Sequence, residues 1–199
     1  MELLELSRES LSAENKKLYE LVSKDYDYDL VIFVARGSYG IGLDLAALKG
    51  VPVTEVFASR KGGRLKKLLR PALKAMPKGL KSFLRKKEFN SGVHEKNSER
   101  EVSFDEKVWE RHRSSERILL VDDSVDTGYS IKSAREEISN YFEGAEVRVA
   151  ALNVFEKSKA VTTTDYSLYS EKMLLGPWSN DSPENKEYLA AYTAWHNKQ

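Results

Sequence analysis

The sequence predicts an α/β fold in which helices flank a mainly parallel central sheet. Three apolar runs, at 29–36, 118–122 and 146–155, are rich in Val, Ile or Leu and have the length of buried strands. Segments in which apolar residues recur at helical spacing lie between these runs. Strands that alternate with helices along the chain are typical of a parallel sheet covered by helices on both faces.

Caps and apolar spacing predict the elements of the N-terminal half. Ser12 precedes a helical pattern that runs to Val22, as an N-cap does. After the strand at 29–36 and a turn with the sequence RGSYG, a second helical pattern ends at Gly50. Glycine suits that position because it accepts the left-handed conformation at a helix end. The segment 51–57 is predicted as the next strand.

The C-terminal half continues the alternation. Ser103 and Glu106 have the spacing of a capping box and predict a short helix before the strand at 118–122. A helix over 130–142 leads to the strand at 146–155. The string Asp181-Ser182-Pro183 predicts the start of a last helix. Four large side chains of that helix have helical spacing: Tyr188, Leu189, Tyr192 and Trp195.

Composition limits the kinds of protein and of site. The chain has 199 residues, enough for one domain with a buried core. It lacks cysteine, which excludes disulfides, a thiolate nucleophile and cysteine-ligated metals, and its three scattered histidines argue against a histidine metal site. No apolar run has the length of a membrane span and the first ten residues do not resemble a signal peptide, so we expect a cytoplasmic protein.

The net charge of +1 conceals one strongly basic segment. Residues 56–87 contain twelve Lys and Arg residues and no acidic residue, whereas the rest of the chain is acidic. Apolar residues recur there at three- and four-residue spacing, which predicts a cationic amphipathic helix or helix pair over 60–87. We expect one domain over 1–199 with a basic helical insertion, or hood, at about 58–115.

The segment 118–130 is the most informative for function. A buried strand delivers two adjacent carboxylates, Asp122 and Asp123, to the carboxyl edge of the sheet, where open α/β folds bind ligands. The turn that follows contains Thr127, Gly128 and Ser130 and leads into a helix N-terminus, which offers N–H groups and hydroxyls to a phosphate. Acids that hold vicinal hydroxyls and a turn that holds phosphate are what a sugar phosphate requires.

This string closely resembles the 5-phosphoribosyl-1-diphosphate (PRPP) motif of the type I phosphoribosyltransferases. The resemblance implies that Asp122 and Asp123 engage the ribose 2- and 3-hydroxyls, which also ligate Mg²⁺. Metal contact by these acids is therefore expected largely through ribose hydroxyls and water. The resemblance also implies that Thr127, Gly128, Tyr129 and Ser130 surround the 5-phosphate, although Tyr129 departs from the small or basic residue usual there.

The central DSVDTG is most similar to the purine salvage branch, in which an Asp exchanges a proton with the base near N7. Asp126 has that place here. Arg36 and Gly37 follow the first strand and resemble the diphosphate loop of bacterial xanthine–guanine and hypoxanthine phosphoribosyltransferases. Glycine allows the backbone to approach an oxyanion, and Arg36 supplies a charged fork and is a second candidate catalytic residue.

The base-binding residues are also predicted from the resemblance. Lys157 follows the third strand, where the purine enzymes carry a Lys that contacts the exocyclic oxygen of a 6-oxopurine. The segment 174–178 is similar to a segment of the xanthine–guanine enzymes that ends in Pro-Trp, and Met173 stands where those enzymes place a stacking aromatic residue. Because methionine stands at the stacking position, the identity of the acceptor base stays open.

The resemblance implies a Mg²⁺-dependent enzyme that transfers the phosphoribosyl group from PRPP to a nitrogenous base, with release of diphosphate. A 6-oxopurine is the first candidate acceptor. Two alternatives are a non-purine acceptor and a non-catalytic module that senses PRPP or a nucleotide. A homo-oligomer is expected. For the basic helix over 60–87, the candidate contacts are its own domain, a partner subunit, an anionic membrane or a polyanion, and no specific nucleic-acid binding is predicted.

Overall fold

The computed structural model describes residues 2–60 and 100–199. Its helices and strands occur in the following order: β1 (Glu2–Glu5), α1 (Arg8–Val22), β2 (Leu30–Val34), α2 (Tyr39–Lys49), β3 (Val53–Arg60), β4 (Arg100–Ser103), α3 (Glu106–Glu110), β5 (Arg117–Val125), α4 (Tyr129–Tyr141), β6 (Glu146–Val154), a 3-10 helix (Glu156–Ala160), β7 (Tyr166–Ser170), β8 (Lys172–Leu175) and α5 (Asn185–His196).

Within the described residues, the main sheet has the strand order β4-β3-β2-β5-β6-β7. The pairs that join β3, β2, β5, β6 and β7 are all parallel. The strand β1 pairs in parallel with β8 in a separate two-stranded sheet. The predicted α/β fold with a mainly parallel central sheet is therefore confirmed.

The core consists of two apolar clusters, one on each face of the sheet. Successive side chains of a strand point to opposite faces. On β2, Val31 and Phe33 belong to the cluster that packs with α1, α2 and α5, whereas Leu30 and Ile32 belong to the cluster with α3 and α4. Both faces of the central strands are thus covered, which explains why their sequences are apolar throughout.

The structure corrects three predicted helix starts. The last helix begins at Asn185 rather than at Asp181-Ser182-Pro183, and its N-cap is Glu184. The first helix begins at Arg8 rather than after Ser12, because Ser7 is the N-cap and forms a reciprocal capping box with Ser10. The short helix α3 is capped by Asp105, whose carboxylate accepts from two backbone N–H groups, and not by the predicted pair Ser103 and Glu106. The C-terminal stop of α2 at Gly50, with φ of 77°, is as predicted.

The strand β5 extends beyond its predicted end at 122. It runs to Val125 because β6 pairs with it as far as the register Val125↔Val154. The two aspartates therefore lie within the strand rather than after it. The strands β1, β4, β7 and β8 and the 3-10 helix were not predicted.

The residues up to Ala58 and from Val102 onward form one compact unit, the first of two into which the chain divides. All the site residues discussed below lie in the first unit. The predicted basic helix over 60–87 lies outside the described residues, and the single domain with its insertion stays a prediction. None of the helices in residues 2–60 and 100–199 is long and apolar enough to cross a membrane.

Candidate functional site

The two aspartates of β5 lie side by side at the carboxyl edge of the sheet. Asp122 is buried, with 8% of its surface exposed, whereas Asp123 is half-buried. The backbone N–H of Asp123 donates to Asp122 Oδ1 at 2.9 Å. The Oγ of Ser38, in the loop before α2, lies 3.2 Å from the same oxygen. The strand therefore places the acid pair against the loop that follows the neighbouring strand β2.

Burial and mutual repulsion disfavour ionisation of this pair. Burial raises the pKa of Asp122 well above its usual range, and the Asp123 carboxylate adds to this rise. Burial also raises the pKa of Asp123, while hydrogen bonds from Asp122, from backbone amides and from the Trp178 side chain oppose that rise. A carboxyl pair of this kind attracts a cation or a group of hydroxyl donors, because either would relieve the repulsion.

The loop between β2 and α2 lies directly on the acid pair. A Cβ atom added to Gly37 would lie 2.6 Å from Asp123 Oδ1, closer than any side chain tolerates. Any other residue at this position would therefore require the Asp123 carboxylate to shift. The Ala35–Arg36 peptide bond in this loop is cis. Arg36 itself is exposed and forms no ion pair within the described residues.

An open cleft of about 700 Å³ lies beside the acid pair. Its lining residues come from the end of β5, the 3-10 helix and β8: Asp123, Ser124, Asp126, Phe155, Glu156, Lys157, Glu171, Lys172, Met173 and Leu174. Asn153 links two parts of this lining by hydrogen bonds. Its side-chain amide donates to Ser124 Oγ at 3.1 Å, and its side-chain carbonyl accepts from the backbone N–H of Lys172 at 3.0 Å. Four predicted site residues, Asp123, Asp126, Lys157 and Met173, line this one cleft.

An ion pair joins two of these residues across the cleft. Lys157 Nζ lies 2.5 Å from Asp126 Oδ1, and about 60% of each side chain is exposed. The same ammonium group lies 5.3 Å from the centroid of the Phe155 ring. The cleft thus presents a carboxylate, an ammonium and an aromatic face next to one another, which suits a planar heterocycle with polar edges.

The apolar wall of the cleft is formed by β8. Met173 is 54% exposed, and its register partner on β1 is Leu3, which is 50% exposed. The exposed side chains in this lining from β8 are thus aliphatic, and β1 lies beside β8, so that Leu3 is the neighbour of Met173 in the two-stranded sheet.

The turn after β5 leads into the helix α4. Gly128 is the N-cap of α4, with φ of 81°, a conformation that glycine adopts without strain. A Cβ atom there would lie 3.0 Å from the carbonyl oxygen of Ser158. Tyr129 and Ser130 are the first two residues of α4, and Thr127 is half-buried in the turn. The chain therefore passes from the end of β5 through a short turn into the N-terminus of α4, as the sequence predicts.

No family model matches the sequence, and no curated protein matches it. Solved structures do match. A purine phosphoribosyltransferase from Pyrococcus horikoshii has a TM-score of 0.59 and 17% identity, over 92% of this chain and 97% of that one. A xanthine-guanine-hypoxanthine phosphoribosyltransferase from Helicobacter pylori has a TM-score of 0.60 and 13% identity, over 92% and 99%. This chain has a phosphoribosyltransferase fold. A third match is a hypothetical protein from Neisseria gonorrhoeae with bound ppGpp, with a TM-score of 0.62 and 18% identity over 97% of both chains.

The phosphoribosyltransferase fold accounts for where the predicted residues lie. The carboxyl ends of β2, β5 and β6 meet at one edge of the sheet, which brings Gly37, the two aspartates and Lys157 to the same place. The predicted fold resemblance is confirmed, while the roles of the individual residues stay predictions. Arg36, Thr127, Tyr129 and Ser130 lie at this edge but are not among the residues that line the cleft.

Sequence reasoning missed three residues that organise the site. Ser38 contacts Asp122, Asn153 links two parts of the cleft lining, and the Tyr188 hydroxyl contacts the loop at Gly37 and Gly40. The helical spacing of Tyr188 indicated a buried face of α5, but its polar contacts depend on a loop 150 residues away. Of these three residues, only Ser38 lies in a segment that the sequence singled out, the turn after the first strand.

The acid pair also has the donor chemistry that Mg²⁺ requires. Carboxylate oxygens, water and substrate oxygens are its preferred ligands, and one or two carboxylates commonly suffice when a substrate supplies the rest. Within residues 2–60 and 100–199, no cluster of three or more His, Asp or Glu side chains could hold a metal by itself. Asp122 and Asp123 therefore fit a metal that is held mainly through substrate oxygens and water.

Proposed function

We propose that this protein is a phosphoribosyltransferase that transfers the 5-phosphoribosyl group of PRPP to a nitrogenous base. One observation carries the proposal. The glycine of the loop after β2 lies against Asp123 of the acid pair, and Asp123 also lines a cleft with a carboxylate and an ammonium group on its wall. A sugar diphosphate and a heterocycle would thus lie side by side, with their reacting atoms near Asp126.

On the PRPP side, Asp122 and Asp123 would accept hydrogen bonds from the ribose 2- and 3-hydroxyls. The turn at 127–130 would surround the 5-phosphate, because the N-terminus of α4 offers N–H groups and a favourable helix dipole. Arg36 is exposed beside Gly37 and forms no ion pair in the described part of the chain, so its guanidinium is available to the diphosphate.

On the base side, a ring nitrogen would attack C1 of the ribose and displace diphosphate. The new bond joins nitrogen to C1, and the bond from C1 to the diphosphate oxygen breaks. Asp126 is the candidate general base for the proton that the nitrogen loses. Since Lys157 is paired with Asp126 at 2.5 Å, entry of the base would separate this pair and free Lys157 for the acceptor's exocyclic oxygen.

We also propose that Mg²⁺ takes part, held through the acid pair and substrate oxygens. When bound, the ion would neutralise charge on the diphosphate leaving group. The raised pKa values of Asp122 and Asp123 are consistent with this proposal, because a cation between the carboxylates and the substrate would restore the charged form of both.

The acceptor is proposed to be a 6-oxopurine, with a non-purine heterocycle as the alternative. The Phe155 ring and the Asp126–Lys157 pair favour a planar base with a hydrogen-bond acceptor on its edge. Met173, which lines the cleft and is 54% exposed, would contact the face of such a base without ring stacking. A cytoplasmic location and a homo-oligomeric state stay predictions.

The test has a binding arm and a reaction arm. Isothermal titration with PRPP and Mg²⁺ should show binding by the wild type and at least a tenfold weaker affinity for Asp122→Asn combined with Asp123→Asn. Unchanged affinity in the double variant would refute the PRPP assignment. A screen of purine and non-purine bases with PRPP, read out as diphosphate release, then identifies the acceptor. Binding of PRPP without release for any base would refute the enzymatic function.

A second candidate is regulatory binding of a guanine nucleotide by the same site. It is favoured by the match over 97% of both chains to the Neisseria gonorrhoeae protein, whose structure has bound ppGpp. Titration of the wild-type protein with ppGpp tests this candidate directly. Tight ppGpp binding together with an absence of diphosphate release would support it, whereas ppGpp that only competes with PRPP in an active enzyme would mark it as an inhibitor.

A further inference from the structure

The C-terminal helix α5 holds the loop after β2 by a contact that the proposed mechanism does not use. The Tyr188 hydroxyl donates to the carbonyl of Gly37 at 2.7 Å and accepts from the N–H of Gly40 at 2.9 Å. Tyr188 is itself buried, with 4% of its surface exposed. One side-chain group therefore satisfies backbone groups at both ends of a four-residue segment, which fixes the distance and orientation between them.

The same segment has a second fixed contact, with the acid pair. Gly37 has no room for a side chain beside Asp123, and Ser38 lies 3.2 Å from Asp122. The loop is thus clamped between β5 on one side and Tyr188 on the other. Small movement of the Gly37 carbonyl would change both the approach to the acid pair and the position of Arg36.

The helix that carries Tyr188 is anchored independently of this loop. Tyr192 and His196 follow Tyr188 at intervals of four residues and so lie on the same face of α5. Both contact the buried carboxylate of Glu55 on β3: the Tyr192 hydroxyl donates to it at 2.8 Å, and His196 Nδ1 contacts its other oxygen. Three successive turns of α5 are therefore fixed, the first against the loop after β2 and the next two against Glu55 of β3.

We propose that Tyr188 is a positioning residue that holds the Gly37–Gly40 loop in the conformation that receives the diphosphate of PRPP. This inference rests on the proposed function and deepens it by adding a residue outside the predicted motifs. The hydroxyl does not contact substrate. It acts through the loop backbone, so its loss should weaken the recognition of PRPP and leave recognition of the base unchanged.

The test variant is Tyr188→Phe, which removes the hydroxyl and keeps the ring. The ring itself packs edge-on against Tyr39, with 5.6 Å between centroids, so the core contact is retained. The matched control is Tyr28→Phe. The Tyr28 hydroxyl donates to the carbonyl of Leu45 at 3.0 Å, and that residue is also buried, but it lies at the opposite end of β2. Both variants lose a buried hydrogen bond from a tyrosine to a backbone carbonyl.

Two measurements are expected to separate the variants. Tyr188→Phe should raise the KM for PRPP about 10- to 30-fold, with the KM for the base within about twofold of wild type, because two neutral hydrogen bonds to the loop are lost. Hydrogen exchange of the peptide covering residues 35–42 should be faster in Tyr188→Phe than in the wild type. Tyr28→Phe should change neither quantity, although its thermal stability also falls through the loss of one buried hydrogen bond.

An unchanged KM for PRPP in Tyr188→Phe, or an equal rise in Tyr28→Phe, would overturn this inference and leave the proposed function intact. Absence of PRPP binding by the wild type would overturn both. Unchanged exchange in the loop of Tyr188→Phe would overturn the inference whatever ligand the protein takes, because the loop would then hold its shape without the hydroxyl.

Discussion

Replacement of Asp122 by Asn is expected to stabilise the protein in buffer without Mg²⁺ or PRPP. Asp122 is buried beside a second carboxyl group, so its folded-state pKa is raised well above the unfolded value. Each unit of elevation costs about 1.4 kcal/mol of unfolding free energy at a pH above both values. Asparagine removes the ionisable group, and its carbonyl is able to accept from the Asp123 N–H. We expect a gain of about 1–2 kcal/mol at pH 7.

The direction of this effect with pH follows from the elevated pKa. Below the ordinary pKa of 3.8, both the folded and the unfolded chain carry the proton at Asp122, so wild type and variant should be equally stable. As the pH rises above that value, the unfolded chain releases the proton while the folded chain retains it. The wild type therefore loses stability relative to Asp122→Asn until the pH reaches the folded-state pKa, and the difference is constant above it.

Urea unfolding, followed by tryptophan fluorescence between pH 4.5 and pH 8, measures this difference. At pH 7 the gain corresponds to a rise in Tm of roughly 2–8 °C for a chain of this size. Asp126→Asn is the matched control, because Asp126 is exposed in the turn that follows the same strand and its ion pair with Lys157 is exposed on both sides. Its effect should stay below about 1 kcal/mol. A variant Asp122→Asn that is no more stable than wild type at pH 7, or a difference that does not grow with pH, would refute the reasoning.

Two further predictions concern the turn and the cleft. Gly128→Ala should destabilise the protein by about 2–4 kcal/mol in urea unfolding, against about 1 kcal/mol for Gly144→Ala. Both glycines have φ near 80°, but only at Gly128 would the new Cβ lie 3.0 Å from a carbonyl oxygen of the 3-10 helix; equal losses would contradict this account. Lys157→Met should raise the KM for the acceptor about tenfold or more, while Lys159→Met, which breaks an exposed ion pair on the same 3-10 helix without lining the cleft, should not. Both should change stability by less than about 1 kcal/mol, and a rise in KM for both variants would argue against base contact by Lys157.

Prediction from sequence succeeded where a local pattern carries the physical reason. The buried strands β2, β5 and β6 are apolar throughout because both of their faces are covered, and this pattern is visible in any single segment. Gly128 was predicted to lie in the turn that leads into a helix, and it is the N-cap of α4. The N-cap of α1 was predicted wrongly, because several serines lie near the start of this helix. The hydrogen bonds between Ser7 and Ser10 place the cap at Ser7 and not at Ser12.

The site required more than local pattern. The acid pair and the Gly37 loop were each predicted, but their contact joins residues 86 positions apart and depends on β2 and β5 being neighbours in the sheet. The pair β1–β8, whose strand β8 carries Met173 to the cleft, was not predicted, because two four-residue strands from distant parts of the chain have no periodicity of their own.

The sequence by itself determined the α/β class, the order of the central strands β2, β3, β5 and β6 with the helices between them, and the pair of carboxylates at the end of β5. These depend on which residues are apolar, which are acidic and where glycine falls, and each of those properties acts over a few neighbouring residues. Only the tertiary structure decided that Lys157 pairs with Asp126, that Gly37 lies against Asp123 and that Tyr188 holds the loop. Such contacts arise when elements from distant parts of the chain pack on one sheet edge, and packing of that kind leaves no repeating pattern in the sequence.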